Sequence, residues 1–117
     1  MNTENIFPPN WQKTRGTYTP AKKVDLGDSY LIFISGQQAK KNKNNEVTSS
    51  IEEQTNEIFE SIENILHSAG AEIDNIVKAV IYLTDMKDFN KFSPIRDKWF
   101  ENCKPVSTLV EVNGMTR

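Results

Sequence analysis

Apolar positions fall along this chain in runs with two different periods. Ala21 to Leu26 and Tyr30-Leu31-Ile32-Phe33-Ile34-Ser35 are short strand-like runs, the second closed by Gly36. The Gly27-Asp28 pair between them is a turn signal, so the segment predicts a β-hairpin. Residues 38–48 hold Lys40, Lys41, Lys43, Asn42, Asn44 and Asn45 and predict a solvated loop. The period then changes. Ile51, Ile58, Phe59, Ile62, Ile65, Leu66 and Ala69 recur as one helical stripe, with Glu52, Glu57, Glu60 and Asn64 on the other side. Ser50 and Glu53 have the S-x-x-E spacing of a capping box, and Gly70 stands where a glycine closes a helix, so the predicted extent is 51–69. Val77 to Leu83 reads as a strand from its β-branched content. A second helix is expected with Asp85 or Asp88 as its cap and Phe89, Phe92, Ile95 and Trp99 as its stripe. Pro94 predicts a turn or a delayed start within it, and Pro105 ends it. Ser107 to Val112 is the last strand run. Residues 1–17 carry Pro8, Pro9 and Gly16 without an apolar period and are expected to form an arm pinned by Phe7 and Trp11, leaving 18–117 as a single domain. The resulting order is β-β-α-β-α-β, an α+β fold with two helices on one face of a sheet.

That sheet has two apolar faces. Tyr30, Ile32 and Ile34 alternate with Leu31 and Phe33, and Val77, Ala79, Ile81 and Leu83 flank Val80 and Tyr82. Two helices cover one face. Leaving the other in water forfeits ~25 cal/mol per Å² of apolar surface, so self-association is the simplest cover, with any ligand cleft lying between subunits.

Composition narrows the function classes. Fourteen Lys and Arg against sixteen Asp and Glu give a net charge of -2, which argues against a protein built to neutralise phosphates, so nucleic acid is not an expected partner. No apolar run reaches the ~18 residues of a membrane span, and the N-terminus lacks the charged and apolar regions of a secretory signal. Cys103 is the one cysteine, so no intrachain disulfide can form, and a cytoplasmic protein is expected. With a single His and a single Cys, no metal-ligand cluster can be assembled from those residues, and no glycine-rich phosphate loop is present; no metal or cofactor is expected. His67 lies beside the apolar stripe at a helix end and reads as structural. Cys103 precedes Lys104, a neighbour that lowers a thiol pKa when close, yet no partner histidine or resolving cysteine accompanies it, and it reads as inert.

Several segments carry a resemblance. Gly16-Thr17-Tyr18-Thr19-Pro20-Ala21 and Phe33-Ile34-Ser35-Gly36-Gln37 resemble the paired N-terminal motifs of the Rid family (YjgF/RidA, also called L-PSP endoribonuclease). Ile51-Glu52-Glu53-Gln54-Thr55 is similar to the opening of that family's first helix. Val77-Lys78 through Leu83-Thr84-Asp85-Met86, with Asp88-Phe89, resembles its "VK…V…LTDM.DF" signature, and Pro105 with Val110-Glu111-Val112 resembles its "PARS.VEV" strand. The resemblance spans residues 15–113 and implies a chorismate-mutase-like homotrimer with small-molecule clefts between subunits. Active family members hydrolyse reactive enamines and imines, such as 2-aminoacrylate, to ketoacids and ammonia. A family arginine grips the substrate carboxylate, because a guanidinium fork matches it bidentately.

The chain departs from the family at that point. Counting back from Val110-Glu111-Val112, Ser107 stands at the arginine position, and Ser93 stands where the second helix carries an asparagine. The family pattern continues into one more strand, "IEIEA", which is not found before Arg117, so the domain is expected to lack that strand. Tyr18, Ser35 and Gly36 stay in register, and the implied ligand-binding set is Tyr18, Ser35, Gly36, Ser93, Ser107 and Thr108, with the catalytic residues left open. The hydroxyls of Ser107 and Thr108, with backbone N–H groups, would hold a carboxylate more weakly than arginine. Three readings stay open: an enamine/imine deaminase, a trimer that binds a small metabolite without turning it over, and an endoribonuclease supported only by Lys40, Lys41 and Lys43.

Overall fold

The computed structural model describes residues 2–11 and 17–115. The first surprise lies in the expected arm. Thr3–Ile6 forms strand β1, antiparallel to β2 (Ala21–Asp25) with Ile6 opposite Ala21. Its sequence, Thr-Glu-Asn-Ile, buries only Ile6, so backbone pairing rather than an apolar pattern holds it. The first sheet therefore begins one strand earlier than the β-β-α-β-α-β order. Phe7 is exposed, and Gly16 lies outside the described residues.

The hairpin is as expected. β2 pairs with β3 (Tyr30–Ile34) from Ala21↔Ile34 to Asp25↔Tyr30. Gly27 closes the turn at φ 96°, a conformation open to glycine at little cost, and its N–H donates to Asp25 Oδ1 at 2.8 Å. The loop after β3 is organised by Asn42, whose Oδ1 accepts from Asn44 N and Glu46 N at 2.9 and 3.0 Å.

Helix α1 runs Ile51–Ser68. Ser50 Oγ accepts from Glu53 N at 3.1 Å, satisfying one of the donors that a helix start leaves unpaired. Ala69 caps the other end and Gly70 follows at φ 81°. The predicted stripe faces inward. Ile65 and Ala69 pack with Ile6 and Ala21, and Leu66 packs with Ala71 and Ile73; Ile32 and Ile34 of β3 lean on both groups. Lys23 and Tyr30 close the helix end, Lys23 Nζ donating to Ala69 O at 3.2 Å and Tyr30 Oη to Gly70 O at 3.3 Å. A cation at a helix C-terminus offsets the negative end of its dipole.

The second half is a parallel crossover unit. β4 (Lys78–Leu83) pairs in parallel with β5 (Val106–Glu111), and helix α2 (Phe89–Trp99) connects them after a 3-10 turn at Met86–Asp88. Asp85 caps that turn through Lys87 N, whereas Asp88 stands at the α2 start without a capping hydrogen bond. Pro94 neither delays nor breaks α2, which continues through it. Phe59 explains why, for it stacks on Trp99 at 5.3 Å and meets Phe100 edge-on at 5.0 Å, so tertiary contact fixes the far end of α2. Trp99 Nε1 also donates to Asn56 Oδ1 of α1.

Among the described residues the strands form two hydrogen-bonded sheets, β1-β2-β3 and β4-β5. Both leave apolar side chains in water on one face: Leu31 and Phe33 on β3, Val80 and Tyr82 on β4, Val106 and Val110 on β5. Phe33 is 61% exposed and Val106 69%, values unlike those of a finished core.

Ile65 is 1% exposed and lies where α1 meets the first sheet. Ile65→Ala is expected to cost about 2–5 kcal/mol by chemical denaturation. Glu60→Ala, on the exposed side of the same helix, should change stability by less than about 0.5 kcal/mol.

Candidate functional site

The residues expected to bind a ligand fall into two groups within one chain. The first gathers around the start of β2 and the end of β3. Ser35 N donates to Pro20 O at 2.9 Å, and Ser35 Oγ donates to Thr19 O at 2.6 Å. These bonds tie the segment at 18–20 to the end of β3. They also commit the Ser35 hydroxyl proton to the fold, leaving only its lone pairs for a ligand. Tyr18 is 54% exposed, and Trp11 meets its ring edge-on at 6.5 Å. Gly36 is exposed, has no left-handed φ, and has no atom within 4 Å of the place a Cβ would occupy. Neither the backbone nor a neighbour within the chain demands glycine there. The surface formed by Tyr18, Ser35 and Gly36 is open and lightly polar.

The second group belongs to the crossover unit. Ser107 lies opposite Ala79 on β5, and Thr108 lies opposite Val80. Successive strand residues point to opposite faces, so Ser107 shares a face with Ala79 and Leu109, while Thr108 shares one with Val80 and Val110. The two hydroxyls therefore point to opposite faces of β5. Ser107 opens into a cavity of ≈ 390 Å³ lined also by Arg96, Phe100, Glu101 and Lys104. Ser93 is half-buried on α2, three residues before Arg96 and hence on a neighbouring helix position, but it does not line that cavity. Tyr18, Ser35 and Gly36 do not line it either.

The cavity contains charges that the motif comparison passed over. Arg96 is held by Asp97, whose Oδ1 accepts from both Nε at 3.1 Å and Nη2 at 3.0 Å. Its guanidinium also lies over the rings of Phe92 and Phe89, at 5.4 and 5.7 Å. In the sequence Lys104 stands out only as the neighbour of Cys103. The available signal was its spacing, three residues before Ser107 across a proline.

Cys103 is a free, half-buried thiol. Burial pushes its pKa up, and Asp74 adds to the rise; Lys104 acts on it only through a backbone hydrogen bond that partly offsets the shift. The thiol donates to Phe100 O at 3.9 Å. His67 is exposed in the last turn of α1.

Comparison with known proteins converges on one family. The model of the family described as Endoribonuclease L-PSP matches residues 11–117. A RutC family protein of Saccharolobus solfataricus is 38% identical over 115 residues, covering 97% of this chain and 88% of that protein. The yeast protein named "Protein MMF1, mitochondrial" is 36% identical over 99 residues, covering 85% of this chain and 66% of its own length. Among solved structures, that of yeast Mmf1 superposes with a TM-score of 0.83 at 28% identity, covering 97% of this chain and 88% of that one. The Escherichia coli YjgF gene product superposes at 0.77 with 26% identity, covering 96% and 87%.

A raised thiol pKa means less thiolate at neutral pH and slower nucleophilic attack. Alkylation of the folded protein by iodoacetamide at pH 7 is expected to be slower than that of an unfolded cysteine peptide, with the rate rising at higher pH than in the peptide. An equal or faster rate would show an activated thiol.

Proposed function

The chain belongs to the endoribonuclease L-PSP family, the YjgF/Rid family, and from that membership we propose that it is a Rid-type protein binding small reactive metabolites in clefts between the subunits of a homotrimer. One observation carries the subunit arrangement. The two groups of candidate residues, Tyr18, Ser35 and Gly36 on one side and Ser107 on the other, do not line a common cavity within one chain, and the strands β3 and β5 beside them leave apolar side chains exposed. Assembly through Leu31, Phe33, Val80, Tyr82, Val106 and Val110 would bury that surface and bring one subunit's Tyr18 group toward the edge of another's β5, the strand that carries Ser107 and Thr108.

Hydrolysis of an anionic imine calls for a held carboxylate and an oriented water. Orientation of reactants supplies much of the rate in such a reaction. Ser107 offers a neutral hydroxyl where the family pattern has arginine, and a neutral bond is weaker than a charge-assisted pair. We therefore read this chain as a binding protein with little or no deaminase activity on 2-aminoacrylate-type imines. The endoribonuclease reading is the weaker one. A net charge of -2 gives no general attraction for phosphates, and the single histidine is exposed on α1, away from the Ser107 cavity lining.

Among the described residues no helix is long and apolar enough to cross a membrane. The free thiol of Cys103 suits a reducing compartment, and we propose the cytoplasm, although the name of the yeast relative places that protein in mitochondria.

Two measurements test this reading. Sedimentation equilibrium at micromolar concentration is expected to return the mass of three chains; a stable monomer contradicts it. Release of ammonia and ketoacid from an enzymatically generated imine should be at or near the uncatalysed rate, well below that of an arginine-bearing family member. Comparable rates would show that Ser107 does not mark a changed function.

A further inference from the structure

We propose that Trp11 is a specificity-determining residue of the Tyr18 group, and that with Tyr18 it selects small ligands carrying an aromatic ring. The sequence predicts only that Trp11 pins the N-terminal arm, and no strand or helix contains it. A turn places it instead. Pro8-Pro9-Asn10-Trp11 has a proline at its second position and Asn10 at φ 63° at its third, and Trp11 N donates to Pro8 O at 3.2 Å. Proline holds φ at about −65°, and a positive φ at the next residue makes a type II turn, which asparagine enters at low cost. These four residues fold as a preset unit, and the side chain that the unit delivers is an indole.

The indole is delivered to Tyr18. The ring centroids lie 6.5 Å apart and the ring planes stand at 83° to each other, so the pair forms a right-angled aromatic corner. Tyr18 is exposed and Trp11 half-buried, and neither belongs to the buried clusters around Ile65 and Leu66. Burial of a packed core is therefore not what these two rings contribute. Both sides of the corner stand on fixed backbone. Trp11 rests on its turn, and the segment after Tyr18 is tied to the end of β3, where Ser35 N donates to Pro20 O at 2.9 Å and Ser35 Oγ to Thr19 O at 2.6 Å. A surface ordered before the ligand arrives loses less entropy on binding.

The angle between the rings defines the ligand. An aromatic ring has a negative face and a positive edge, so rings attract one another offset-stacked or edge to face. Two rings at right angles offer a third ring both contacts at once, stacking on one and meeting the other edge to face. A saturated ring of the same size gains contact area there but no such electrostatic fit. The inference rests on the proposed small-molecule function and deepens it by naming the ligand's side group. A pin for the N-terminal arm would show in the melting temperature and not in the ratio of affinities for two ligands.

The test titrates phenylpyruvate and cyclohexylpyruvate, which differ only in the saturation of the ring, into the full ¹⁵N-labelled chain. The indole N–H signals of Trp11 and Trp99 are followed, that of Trp11 being identified by its loss in Trp11→Phe. Phenylpyruvate is expected to bind about five-fold more tightly, because aromatic pairing adds to area burial. It should also shift the Trp11 indole signal and leave that of Trp99, which is bonded to Asn56, in place. Trp11→Leu should bring the two acids to equal affinity, and Trp11→Phe should keep phenylpyruvate ahead, with melting curves to show that each variant is folded. Equal binding of the two acids by the wild-type chain, or an aromatic preference that survives Trp11→Leu, overturns this inference and leaves the binding function standing. If neither acid binds, both fall.

Discussion

Apolar side chains on both faces of the strands are the constraint on which the rest of this molecule depends. Ile32 and Ile34 turn toward α1, where they complete two buried clusters, and Leu31 and Phe33 must then turn away from it. The same alternation sends Val80 and Tyr82 of β4 outward beside Val110 of β5. α1 and α2 are bound to one another by the stacking of Phe59 on Trp99 and leave the opposite face bare. A side chain such as Phe33 contributes little to the stability of an isolated chain. Its apolar area becomes favourable only when something covers it. The proposed assembly and the proposed cleft follow from this one alternation.

Most of the fold was legible because its elements advertise themselves by period. The i, i+3, i+4 spacing of Phe59, Ile62, Ile65, Leu66 and Ala69 permits one helical face, and Ser50 and Gly70 mark its ends chemically. β1 was not legible. Thr3-Glu4-Asn5-Ile6 buries one side chain, and its stability comes from main-chain bonds to β2 that leave no trace in side-chain pattern. Pro94 misled for the opposite reason. Its local preference against a helix interior is real, but the ring contacts of Phe59 with Trp99 and Phe100 lie beyond the proline and outweigh it.

The candidate site was legible only in part. Motif spacing singled out Tyr18, Ser35, Gly36 and Ser107; Ser35 and Gly36 follow the end of β3, Ser107 is the second residue of β5, and Tyr18 lies shortly before β2. The strand period allows Ser107 and Thr108 only opposite faces, but it did not show Arg96 beside Ser107, since that depends on how β5 meets α2. It also passed over Lys104, whose backbone conformation is invisible in sequence.

The central claim is that two chains complete one site, and intermolecular paramagnetic broadening tests it most directly. A nitroxide is attached at Ser107→Cys in a Cys103→Ser background on unlabelled chains, which are mixed with ¹⁵N-labelled wild-type chains. Broadening of the Tyr18 and Gly36 amides on the labelled chains is the predicted result, since those residues would lie toward the edge of a neighbouring subunit's β5. Sharp, unshifted Tyr18 and Gly36 signals in an exchanged mixture would contradict the account.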